Sequence, residues 1–107
     1  MSLKHTQFET VGSLAFGSIT NAYQTVLALT DDAQEVLFFN STEVVIIVQL
    51  PQIINNALSS VEALRMPPSS GFVYDGRTNN KTIPKGNIKI KFDAAPTTGE
   101  FSVSAIR

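Results

Sequence analysis

Apolar residues in this chain recur mainly with a period of two, the spacing of strands that bury one face. The strongest stretch is Val36–Leu50, VLFFNSTEVVIIVQL, which predicts two strands, Val36–Phe39 and Glu43–Leu50, around a tight polar turn at Asn40-Ser41-Thr42. Val44, Val45, Ile46, Ile47 and Val48 are all β-branched. Their stiff side chains suit a pleated strand and fit poorly in a helix. Alternation sends Val44, Ile46, Val48 and Leu50 to one purely apolar face, which belongs in a core. Glu43, Val45, Ile47 and Gln49 share the other face, which predicts partial cover by a loop, a second sheet or another subunit.

The rest of the chain follows the same rhythm. Residues 1–12 form a polar, irregular arm ahead of a domain at 13–107. Ser13–Ile19 is a short strand candidate broken by Gly17. Ala22–Thr30 is a clearer one, with Leu27 and Leu29 to one side and Val26 and Ala28 to the other. Asp31–Gln34 has the side chains of a turn, and Pro51 is expected to end the central strand because it cannot donate to a ladder. Residues 52–66 allow two readings. Leu58, Val61 and Leu64 have helical spacing, with Asn56 as a cap, whereas a turn at Asn55-Asn56 would lead into a strand over Ser60–Met66. The neighbouring strands favour the second reading.

Pro67–Gly71 is a connector, Phe72–Asp75 a strand, and 76–86 a polar loop. A second hairpin is expected from NIKIKFD and EFSVSAIR, turning at Pro96–Gly99, with Ile88, Ile90, Phe92, Phe101, Val103 and Ala105 facing inward. Seven or eight short strands with turn signals between them predict an all-β fold: a single antiparallel β-sandwich, either a jelly roll or immunoglobulin-like.

Composition narrows the function more than the fold. At 107 residues one core is expected, and charged residues make up only 16%, well under the roughly 25% of an ordinary soluble domain. Such a surface suits a chain that works inside an assembly. No cysteine is present, which excludes disulfides and thiolate metal sites. With no signal-like start and no long apolar run, the expectation is synthesis in a cytoplasm and no membrane contact. Residues 1–64 carry one base and six acids, whereas residues 65–107 carry seven bases and three acids. That imbalance would steer a partner or a neighbouring copy, unless the fold interleaves the two halves.

Chemistry is sparse. His5 lies in the arm, without the packed setting a Ser/His/Asp relay needs. Asp31, Asp32 and Glu35 match no complete calcium loop. Arg77, Lys81, Lys85, Lys89 and Lys91 have no aromatic residues among them, so a solvated face is favoured over a nucleic-acid site. No catalytic, cofactor or metal site is expected, and the chain is read as a non-enzyme. A carbohydrate-binding module would need exposed aromatics, for which Tyr23, Tyr74 and the phenylalanines are the candidates. Val45 and Ile47 on the second face point instead to self-association or docking.

Taken together, VLFFNSTEVVIIVQL, SSGFVYDGRTNNKTIPKGNIKIKF and APTTGEFSVSAIR, within residues 14–107, resemble small virion proteins of tailed bacteriophages. Among these the chain is most similar to capsid decoration, or cement, proteins. The resemblance implies a homo-oligomer on the outside of a virion that bridges major capsid protein subunits and needs no catalytic group. On that reading the contact residues are Phe8, Val45 and Ile47. A tail or neck component of such a virion is the alternative within the same class.

Overall fold

A computed structural model describes residues 9–54, 57–75 and 83–106. Eight strands form: β1 (Glu9–Ala15), β2 (Gln24–Leu29), β3 (Glu35–Asn40), β4 (Ile46–Ile54), β5 (Ala57–Met66), β6 (Ser70–Asp75), β7 (Gly86–Phe92) and β8 (Glu100–Ile106). They build two four-stranded antiparallel sheets, in the orders β1-β8-β3-β6 (sheet A) and β2-β7-β4-β5 (sheet B). This order makes the sandwich a jelly roll and decides the choice left open by the sequence.

The strands close on one core because alternation directs the same residue types inward from both sheets. Val36, Phe38, Phe101, Val103 and Ala105 come from sheet A, and Leu27, Leu29, Ile46, Val48, Leu50, Ile88 and Ile90 from sheet B. The inward sets expected for β4, β7 and β8 are therefore found, with Val44 and Phe92 packed against the core while partly buried. Val26, expected to face away from Leu27, is buried as well. The β2–β7 register shifts between Thr25 and Leu27, and a bulge of this kind turns one extra side chain inward.

Several expectations are corrected. β3 and β4 do not form a hairpin, since they lie in opposite sheets, and neither do β7 and β8. Among the described strands, β4 and β5 are the sequence neighbours that also pair. Pro51 does not end its strand. It lies within β4 opposite Ser60, beyond Gln49, where β7 no longer pairs with β4 and a one-sided strand tolerates proline. Finally, β1 starts at Glu9, inside the stretch read as an arm, and Phe16–Ser18 forms a single 3-10 turn instead of continuing a strand. Gly12 sets how closely this strand packs. A Cβ there would lie 2.2 Å from the Val26 carbonyl oxygen, so only glycine lets β1 lie this close to β2 and seal that side of the sandwich.

The crossings between sheets are tied together at one end. Asn40 and Thr42 are the buried polar residues of the chain's described part. Asn40 Nδ2 donates to the carbonyls of Val44 (2.9 Å), Met66 (3.1 Å) and Pro67 (3.0 Å). Its Oδ1 accepts from the Thr42 N–H (3.0 Å) and hydroxyl (2.6 Å). One amide thus fastens the β3-to-β4 crossing to the β5-to-β6 crossing. The β7-to-β8 crossing joins them: the Ser41 N–H donates to the Glu100 carbonyl at 2.9 Å, and the Phe16 N–H donates to the Gly99 carbonyl at 2.9 Å. Gly99 holds φ +86°, and a Cβ on it would lie 2.2 Å from the Ser41 carbonyl oxygen.

Replacing Asn40 by alanine removes the side-chain donor from the buried Met66 carbonyl and from the part-buried Val44 and Pro67 carbonyls, while the Thr42 hydroxyl keeps only its bonds to Val44. Asn40→Ala is expected to lower the unfolding free energy by about 2–4 kcal/mol, read from urea melts. A loss below about 0.5 kcal/mol, the size of an ordinary surface change, would contradict the role given to this corner.

Candidate interaction surface

Because inward positions on sheet A are filled by core residues, the alternate positions face outward, and the register orders them into rows. Val11, Ser104, Leu37 and Val73 form one row across all four strands, and Ser13, Ser102, Phe39 and Gly71 form the next. The large residues among them are exposed: Val11 by 61%, Leu37 by 40%, Phe39 by 50% and Val73 by 52%. Serine and glycine at the positions between keep the face low. The result is a sheet surface carrying four apolar side chains among small residues, a feature that marks contact surfaces on soluble proteins.

Charge is sorted by sheet. The strands of sheet A carry four acids, Glu9, Glu35, Asp75 and Glu100, and no base. Those of sheet B carry Lys89, Lys91 and Arg65 against the single acid Glu62. Neither half of the chain is segregated in space, yet the two outer faces differ in sign. On sheet B the register aligns Lys91, Ile47 and Arg65 across three strands and sets Lys89 opposite Gln49. The Lys91 ammonium lies 4.8 Å from the centroid of the Tyr23 ring, a cation–π contact. Arg65 pairs with Asp93 at 3.4 Å, with both side chains largely exposed.

The three residues named from sequence are not brought together. Ile47 is 1% exposed, with Arg65 and Lys91 as its cross-strand neighbours on either side. Val45 is 40% exposed, in an open groove of about 580 Å³ lined by Glu43, Val44, Arg65, Pro67, Pro68 and Asp93. Phe8 lies outside the described residues, as do His5, Arg77 and Lys81. The apolar row of sheet A was missed, although VLFF places large apolar residues on both faces of one strand, and that signal was there to be read.

At the rim of the groove, Glu43 fixes the β7-to-β8 loop. Its carboxylate accepts from the Thr97 hydroxyl, the Thr97 N–H (2.7 Å) and the Thr98 N–H (3.3 Å). The Thr97 hydroxyl, followed by backbone donors, holds the carboxyl below its ordinary value of 4.5, against a smaller opposing effect of desolvation. Among the described residues no group of three or more His, Asp or Glu is placed to hold a metal ion, and no helix is long and apolar enough to cross a membrane.

Two predictions follow from these placements. Ile47→Asp puts a carboxylate into a buried site and is expected to cost several kcal/mol, whereas Val45→Asp should change the stability by less than about 0.5 kcal/mol; denaturant melts of the pair check this. For Glu43, a depressed pKa means the native state holds its proton less tightly than the unfolded chain. Its stabilisation is complete above 4.5 and lost as the pH falls through the lower native value. Wild type should therefore melt above Glu43→Gln at pH 7, and the difference should close as the pH falls below 4.5. A gap that is constant with pH would rule this linkage out.

No protein-family profile matches the chain, and no curated protein matches it. A solved structure does, from Bacillus endospore appendages, described as a novel family of disulfide-linked pili. The match has a TM-score of 0.54 and 15% identity, covering 94% of this chain and 85% of that one. At that identity the likeness establishes a shared fold. The disulfide linkage named for those pili has no counterpart in these 107 residues, which contain no cysteine.

Proposed function

We propose that this chain is a non-enzymatic structural subunit that assembles with copies of itself. The observation that carries the reading is the outer face of sheet A, where Val11, Leu37, Phe39 and Val73 stand exposed in adjoining rows among small residues. A monomer in water gains nothing from such a face, while an assembly gains the burial of its apolar area. The pilus-forming neighbour supports the reading to the extent that this fold serves a polymer-building protein.

The finer reading places the assembled copies on a virion exterior, bridging major capsid protein subunits, and is supported by the sequence resemblance alone. Binding of the purified chain to undecorated phage heads would test it.

The general reading is tested by sedimentation velocity on wild type and on Leu37→Asp/Phe39→Asp. Wild type is expected to associate with rising concentration. The variant should stay monomeric at concentrations about tenfold higher, a loss of only about 1.4 kcal/mol, with an unchanged thermal transition. A wild-type chain that remains monomeric to ~1 mM, the limit of weak association, would overturn it.

A further inference from the structure

We infer that copies join head to tail, the outer face of sheet A of one chain resting on the outer face of sheet B of the next, so that assembly produces an open filament. This inference rests on the self-assembly reading and specifies its interface.

Three observations lead to it. First, the faces are of opposite sign: Glu35 and Glu100 occupy outward registers on sheet A, and Lys89 and Lys91 occupy outward registers on sheet B. Arg65 is left out of the argument because Asp93 already pairs with it. Second, the sign is uniform across sheet A, whose four strands contribute acids and no base. A two-fold dimer through this face would offer those acids no base to meet, whereas a sheet B face brings bases to them. Third, the faces are different surfaces of the same chain. A contact between unlike patches is heterologous, and unless the rotation closes into a ring it propagates without limit.

The size of the contact sets its strength. Four strands at about 4.8 Å spacing and seven residues at about 3.3 Å give a footprint of roughly 20 by 23 Å per copy. Both copies together bury on the order of 900 Å² in plan, below the standard size of a stable interface. Association should therefore depend on concentration and weaken in salt as the charges are screened. Packed sheets lie about 10 Å apart, inside the sandwich and between copies alike, so the filament repeat should be near 20 Å.

The test uses two variants, each with one disabled face, that cannot rescue each other by charge exchange. Leu37→Asp/Phe39→Asp disables the sheet A face, and Lys89→Asp/Lys91→Asp disables the sheet B face. Each alone is expected to be monomeric in sedimentation velocity at low salt. Mixed in equal amounts, they should form a discrete one-to-one dimer, since one intact face of each kind remains. Should the lysine pair fail to fold by circular dichroism, Lys89→Ala/Lys91→Ala takes its place with the same expectation. If the lysine variant associates as wild type does, or the mixture stays monomeric while wild type associates, the head-to-tail interface is wrong and the structural-subunit reading stands. If wild type never associates, both fall.

Discussion

The amide of Asn40 holds the architecture together at the point where it is most vulnerable. A sandwich whose strands alternate between sheets must carry its backbone repeatedly across the core's edge, and each crossing exposes carbonyls that no ladder satisfies. Asn40 takes three of these, from Val44, Met66 and Pro67, and positions Thr42 with its own oxygen. Because those carbonyls belong to two separate crossings, the side chain couples sequence segments 26 residues apart. With the crossings fixed, the strands that leave them are aimed into their respective sheets. Glu43 and Gly99 extend the same arrangement to the last crossing from its outer side.

That frame is what gives the two outer faces their separate characters. Most strands adjacent in sheet A come from opposite halves of the sequence, as where Gly12 lies opposite Val103 and Leu37 opposite Val73. The imbalance of charge between the halves of the chain is thus redistributed into a difference between sheets. An acidic, apolar face and a basic face back onto one core, with no titratable group required inside it.

Burial of one strand face was legible in the sequence; pairing was not. The period of two identifies Ile46, Val48, Ile88, Ile90, Phe101 and Val103 as inward because any one-sided strand must bury that set. Nothing in the period says which sheet receives the strand. A short polar link reads the same whether it folds back within a sheet or crosses to the opposite one, so both expected hairpins were wrong. The distinguishing mark was chemical: Asn40 and Thr42 are ordinary turn residues when solvated, but here they are buried. Ile47 and Val45 show the complementary limit. Both are β-branched and two residues apart, yet Ile47 lies inside β4 between Lys91 and Arg65 and is buried, whereas Val45 precedes the strand and stays exposed. VLFF shows Leu37 and Phe39 on the outer face of one strand, but the full patch with Val11 and Val73 is assembled from β1, β3 and β6 and lay outside any single segment.

The pairing of the first strand with the last has a mechanical consequence. Glu9 lies opposite Ile106, so the two ends of the described chain leave the same corner of sheet A. Tension applied between those ends peels β1 from β8 one pair at a time, because antiparallel hydrogen bonds run across the strands and are loaded singly in that direction. A push normal to the sheets meets the close-packed core, which resists compression as a whole. The molecule is a tile, weak when pulled by its ends and strong when pressed between its faces.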